Sequence, residues 1–266
     1  MVTKILFTRL GGVGDMIMSE PVLQAVHDQY APCEITYRTH RHVYDLMLYH
    51  PLIDKILCTR TGCWTPTPEG YDLHINLHGI IENAPFGIHG TDAFAKAAVV
   101  KLGRRTPVLH LTGEQRPVET EDDRYPVISH PTVKTPEMVD ITIHVPHEPR
   151  NALWAIEKRI VYHLTEYLSK NGEKPTVRVV GTDPMEPGNS HILKMANEIK
   201  QSRLFIGPDS GGFHVAAALG VPTLACLTDK FPPSMRSYSK VVCVEDHRIE
   251  EVLSTALAMY RRIQRG

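Results

Sequence analysis

Short apolar runs alternate with amphipathic stretches along most of the chain. Val2-Thr-Lys-Ile-Leu-Phe-Thr8 is rich in strand formers and gives way to Leu10-Gly-Gly-Val-Gly-Asp15, after which Ile17, Val22, Leu23 and Val26 recur at helical spacing. The pattern predicts a strand, a glycine loop and a helix, with Pro21 within about the first turn of that helix and Ser19 as a candidate cap. Further strands are predicted at 33–37, 55–58 and 72–77, and helices at 42–49 and 93–102. Residues 103–137 carry five prolines and the acidic run Glu119-Thr-Glu-Asp-Asp-Arg124 without sustained periodicity, so they read as a linker or irregular edge. Alternation then resumes: strands at 140–145, 176–180, 204–208, 223–227 and 240–244, and helices at 153–169, 191–201, after Gly211, and at 249–263. Such alternation implies parallel sheets with crossover helices, hence an α/β fold of two similar halves. The boundaries expected are residues 1–137 and 138–266, with the C-terminal helix packing back toward the N-terminal half.

Composition narrows the function classes. The 29 Lys and Arg residues nearly balance 30 Asp and Glu, so bulk charge gives no grip on an extended nucleic acid. The five cysteines form neither a CxxC pair nor a disulfide framework, which fits a reducing cytosol. No run approaches the length of apolar chain a membrane span needs, which leaves only peripheral contact with a membrane.

Two glycine turns carry the candidate chemistry. In Leu204-Phe-Ile-Gly-Pro-Asp-Ser-Gly-Gly-Phe-His-Val-Ala-Ala-Ala-Leu-Gly-Val-Pro222 a buried strand meets a helix N-terminus, where unpaired N–H groups suit a phosphate. Asp209 or Ser210 can cap this helix, Gly211 and Gly212 let a ligand approach the backbone, and His214 on the first turn can bond a phosphate or Asp209. The same residues also serve any strand-to-helix turn. At the other end, Gly11, Gly12 and Gly14 place flexible backbone beside Asp15. That carboxylate reads either as a helix cap or as a base taking a proton from an acceptor hydroxyl. The spacing is not GxGxxG, which argues against a nicotinamide or flavin site. His40/His42 and His74/His78 invite a metal reading, but no HExxH or Cys/His tetrad accompanies them. Asp122-Asp123 reads as a solvated run.

Four blocks resemble the ADP-heptose:lipopolysaccharide heptosyltransferase family, glycosyltransferase family 9: Lys4 through Ala25, Tyr49-His-Pro-Leu-Ile-Asp-Lys-Ile56, Tyr71-Asp-Leu-His-Ile-Asn-Leu-His-Gly79, and Phe205 through Pro222. The resemblance implies a GT-B fold, two Rossmann-like lobes facing across a cleft. It implies an inverting, metal-independent transfer of a hexose or heptose from a nucleotide-diphosphate sugar, such as ADP-heptose, to a hydroxyl of a glycan or lipid-linked acceptor in lipopolysaccharide biosynthesis. No cofactor is expected, and the enzyme would work in the cytoplasm or at the inner membrane face. Asp15 would be the general base. Asp209, Ser210, Gly211, Gly212 and His214 would receive the donor, with Gly11, Gly12 and Gly14 on the acceptor side. A basic donor contact corresponds to Arg150, with Lys158 second, and a ribose-binding acid to Glu186, with Asp183 competing. Where the family's turn is Gly-Pro, this chain has Gly211-Gly212. The alternatives are a nucleotide-sugar-binding module without turnover and a transferase acting on another acceptor such as modified DNA.

Overall fold

The structure, a computed structural model, describes residues 2–59, 66–85, 87–121, 135–145, 157–181, 191–227, 238–245 and 248–266. The chain divides into two units, Met1–Thr132 with Pro187–Leu193, and Val133–Glu186 with Lys194–Gly266.

The first unit is built on a five-stranded parallel sheet of order β4-β1-β2-β3-β5, from β1 (Thr3–Thr8), β2 (Cys33–His40), β3 (Lys55–Thr59), β4 (Leu73–Asn76) and β5 (Val118–Thr120). Ile5, Leu6 and Phe7 are fully buried, as a central strand covered on both faces requires. Helix α1 (Val13–Tyr30) starts inside the glycine loop, earlier than Pro21 suggested. Pro21 therefore lies in the helix interior, where its ring leaves the carbonyl of Ile17 without the usual N–H. Ser19 is no cap: its hydroxyl donates to the Met16 carbonyl at 2.7 Å and shares a hydrogen bond with the Tyr37 hydroxyl at 2.9 Å. The helix expected over 42–49 is only a 3-10 turn, Tyr44–Met47. Helix α2 (Gly90–Ala98) begins earlier than its apolar spacing indicated, because His89 Nδ1 accepts the Thr91 N–H at 3.1 Å and caps it. In the stretch expected to be irregular, Val118–Thr120 joins the sheet beside β3.

A buried carboxylate ties this unit together. Glu20 on α1 is 1% exposed and accepts from both Arg104 Nη atoms, at 2.6 and 2.5 Å, and from the Val108 N–H at 2.9 Å, with His50 Nε2 at 3.3 Å. Burial opposes its ionisation, yet the hydrogen bonds from His50, Arg104 and the Val108 backbone together hold its carboxyl below the usual glutamate range.

In the second unit, β6 (Val139–His144), β7 (Val177–Val180), β8 (Ser202–Pro208), β9 (Thr223–Leu227) and β10 (Val241–Glu245) form another all-parallel sheet, of order β10-β9-β8-β6-β7. Period-two alternation sends Ile141 and Ile143 of β6, and Leu204 and Ile206 of β8, to one face. There α3 (Glu157–Lys170) adds Ile160, Leu164 and Leu168 at i, i+4, i+8, and α6 (Ile249–Gln264) adds Val252, Ala256, Leu257 and Tyr260. Helix α6 buries its apolar stripe in the second unit. Helices α4 (His191–Lys200) and α5 (Gly211–Ala218) complete the unit.

Removing the buried carboxylate should unfold the first unit preferentially. Glu20→Ala removes the carboxylate partner of Arg104 and the acceptor of the Val108 amide, and the expected loss is about 3 kcal/mol of stability by urea denaturation. A change below about 0.5 kcal/mol, the size of an ordinary surface substitution, would contradict this reading of the cluster.

Candidate active site

Open parallel sheets bind ligands beyond the C-terminal ends of their strands, where the strand order reverses. In the first unit the reversal lies between β1 and β4, and in the second between β6 and β8. The two glycine turns leave from β1 and β8, so each sits at its unit's reversal point.

In the first unit the residue that organises the turn is Arg9, just beyond β1, whose guanidinium is wholly buried. Its Nη1 donates to the Leu77 carbonyl beyond β4 at 2.9 Å, which bridges the reversal point, and its carbon Cζ lies 4.9 Å from the centre of the Phe94 ring. Nη2 lies 3.1 Å from Asp15 Oδ2 and 3.5 Å from Glu82 Oε1. These carboxylates supply the charge a buried guanidinium needs. Asp15 Oδ2 also accepts the Gly12 N–H at 3.1 Å. Gly12 is the N-cap of α1, and Asp15 sits three positions inside, so the cap reading of Asp15 is corrected: it is the helix's N3 carboxylate, reaching back to the cap backbone. Both contacts fall on Oδ2, which leaves Oδ1 to accept a proton, and the side chain keeps 29% of its exposure. Gly11 is required here, since a Cβ on it would lie 2.7 Å from Asp15 Oδ2. Gly14 lies in the first turn of α1.

In the second unit α5 starts directly after β8. Its N-cap is Ser210 rather than Asp209, in extended geometry (φ −160°), and the Ser210 side chain caps nothing. Instead its Oγ lies 2.9 Å from His144 Nδ1, at the end of β6, and 3.3 Å from the Pro208 carbonyl. The Phe213 N–H goes to the Ser210 carbonyl at 3.1 Å. The N–H groups of Gly211 and Gly212 have no acceptor among the described residues. His214 is buried, with Nδ1 3.2 Å from the Tyr238 hydroxyl and Nε2 3.8 Å from Asp209 Oδ1. The contact expected between His214 and Asp209 is therefore an ion-pair distance rather than a hydrogen bond.

Sequence reading placed Asp15, Gly11, Gly12 and Gly14 on the first unit and Asp209, Ser210, Gly211, Gly212 and His214 on the second, and within each unit the structure brings them together. Arg150, Glu186, Asp183 and the pair Asp122-Asp123 lie outside the described residues, as does the Lys158 side chain. Arg9 and His144 were missed. A charged residue closing an apolar strand was the available signal for Arg9. For His144 it was the Ile141-Thr-Ile-His144 alternation, which turns the imidazole away from the aliphatic face. The histidine pairs do not converge on a common point. His74 Nε2 bonds the Thr8 hydroxyl, His78 Nδ1 the Leu10 carbonyl, and His40 stacks on His42. Among the described residues no group of three or more His, Cys, Asp or Glu side chains could hold a metal ion.

His144 is 6% exposed, and burial drives its pKa down to about 4. It folds as a neutral ring. The unfolded chain takes up this proton near pH 6.5 and the folded one only near 4, so stability is lost as pH falls through that window, by about 3 kcal/mol at most. His144→Asn should flatten the fall of the melting temperature between pH 6.5 and 4. An unchanged slope would contradict the burial of a neutral ring.

No curated protein matches the chain by sequence. Among solved structures, a glycosyl transferase family 9 protein from Veillonella parvula DSM 2008 is 17% identical with a TM-score of 0.60, and the match covers 96% of this chain and 89% of that one. E. coli heptosyltransferase WaaC, solved with ADP-2-deoxy-2-fluoro heptose, is 11% identical with a TM-score of 0.63, covering 98% of this chain and 100% of that one. The iron-containing dodecameric glycosyltransferase TibC of enterotoxigenic E. coli H10407 is 13% identical with a TM-score of 0.57, covering 99% and 76%. Residues 188–251 match the family model described as glycosyltransferase family 9 (heptosyltransferase). The chain thus shares the GT-B fold of these glycosyltransferases, and its residues 188–251 are similar to the glycosyltransferase family 9 (heptosyltransferase) model.

Proposed function

We propose that the chain is an inverting, metal-independent glycosyltransferase that moves a heptose from ADP-heptose, or a closely related nucleotide-diphosphate sugar, to a hydroxyl of a glycan or lipid-linked acceptor. The observation that carries this reading is the pair of N–H groups of Gly211 and Gly212 at the start of α5, which have no acceptor among the described residues and lie beside Asp209 and His214. As the anomeric C–O bond breaks, its electron pair goes to the leaving diphosphate, and amides aimed at that oxygen charge stabilise it without reorganising. The helix dipole acts in the same sense. Asp15 takes the acceptor's proton through Oδ1 as the acceptor oxygen attacks the anomeric carbon from the face opposite the diphosphate, which inverts its configuration. Arg9 holds Oδ2 during this step and fixes the carboxylate's direction. WaaC, whose structure was solved with an ADP-heptose analogue, supports ADP as the donor nucleotide. Arg150 and Glu186 are proposed to contact the donor's phosphates and ribose. Among the described residues no helix is long and apolar enough to cross a membrane. We place the enzyme in the cytoplasm, meeting a lipid-linked acceptor at the membrane surface.

Asp15→Asn keeps the shape of the side chain and removes the base. Turnover of ADP-heptose should fall by about a hundred- to ten-thousand-fold, with the donor's affinity within about twofold of wild type. A chelator should leave wild-type turnover unchanged. Saturating donor should raise the melting temperature of wild type and variant alike, by mass action. An absence of any shift with ADP-, UDP-, GDP- and TDP-sugars would overturn the proposal. A shift without turnover on any acceptor would favour a sugar-nucleotide-binding module.

A further inference from the structure

The feature of the second unit that the proposed chemistry leaves unused is His144, a neutral imidazole enclosed by glycines. Its ring stacks on Phe205 with centroids 6.3 Å apart. A Cβ on Gly181 would lie 2.5 Å from His144 Cδ2 and Nε2, one on Gly207 3.2 Å from its Cβ, and one on Gly212 3.0 Å from Cγ. Gly181 beyond β7, Gly207 in β8 and Gly212 in α5 thus all border this residue, and Gly181 also adopts φ +87°, a region only glycine enters easily. Among the described residues the ring's polar contact is with Ser210 Oγ.

Ser210 holds the N-cap position, where a serine hydroxyl ordinarily turns inward to accept the N–H two or three residues on. Here those N–H groups belong to Gly212 and Phe213. The Phe213 N–H is already taken by the Ser210 carbonyl, and the Gly212 N–H is left open because the hydroxyl is drawn toward β6 instead. We propose that His144 is a positioning residue: it holds the Ser210 hydroxyl away from the helix N-terminus, so that the Gly211 and Gly212 amides stay free for the diphosphate of the donor. Without the imidazole, the hydroxyl rotates onto the Gly212 amide and competes with the phosphate as an internal ligand. The inference rests on the donor reading given above for α5. It also accounts for glycine at position 212, since a Cβ there would press on the ring that keeps the cap open, 3.0 Å from its Cγ.

The test is a double-mutant cycle in the full chain, with ADP as the probe and calorimetric affinity as the readout. His144→Ala should weaken ADP binding by about tenfold, the scale of one hydrogen bond to a charged group. His144→Asn, whose amide reaches the position of Nδ1, should restore binding to within about threefold of wild type. In a Ser210→Ala background, His144→Ala should have no further effect, because the competing hydroxyl is gone. An equal loss in both backgrounds would make His144 a packing residue only and overturn the proposal, as would unchanged binding in the single variant. Amide hydrogen exchange separates this claim from the donor reading. In the ligand-free protein the Gly212 amide should exchange freely in wild type, become protected in His144→Ala, and be free again in the double variant. Should wild type bind no ADP, the donor reading fails while the exchange pattern still decides whether His144 controls the cap. Protection that does not change among the three proteins would sink the positioning role.

Discussion

Parallel pairing is the constraint from which the rest of the molecule follows. Strands that all run one way deliver their C-terminal ends to a single edge, and the reversal of strand order opens a crevice at that edge which no crossover helix can fill. In each unit a buried side chain spans the reversal point. Arg9 reaches from the end of β1 to the carbonyl of Leu77 beyond β4, and His144 at the end of β6 reaches Ser210 beyond β8. In both cases the spanning group sits behind a glycine turn and sets the direction of the residue that faces outward.

The two groups differ in charge, and their surroundings differ accordingly. Arg9 is a buried guanidinium, and its burial is offset by Asp15, Glu82, a carbonyl and an aromatic face. His144 can be neutral, and burial keeps it so. A fixed cation therefore stands beside the carboxylate proposed to take a proton. An uncharged ring stands behind the amides proposed to meet a diphosphate. Glu20 follows the same logic away from either turn: a carboxylate buried under α1 survives because Arg104, His50 and the Val108 amide converge on it.

Much of this was legible in the residue order. The strands at 3–8, 55–59 and 223–227 announce themselves as β-rich runs between turn residues, and the sequences Gly11-Gly-Val-Gly-Asp15 and Pro208-Asp-Ser-Gly-Gly212 announce strand-to-helix turns. Where the reading failed, a longer-range force had overridden a local signal. Pro21 looked like a helix start, but the burial of Met16, Ile17, Val22 and Val26 holds α1 together through it. Val118–Thr120 lies in a proline-rich stretch and becomes a strand only because β3 offers it an open edge. Tyr44–Met47 has helical apolar spacing over too few residues to nucleate more than a single turn.

The sequence by itself determined the α/β alternation, the parallel sheets that alternation entails, and the identity of the two glycine turns, because these depend on periodicity and on conformations that only glycine and short polar residues tolerate. The tertiary structure decided which side chains stand behind those turns. Arg9 meets Glu82, and His144 meets Ser210, across separations of 66 residues or more. No local pattern encodes a pairing at that distance: it exists only once the strand order has set β1 beside β4 and β6 beside β8.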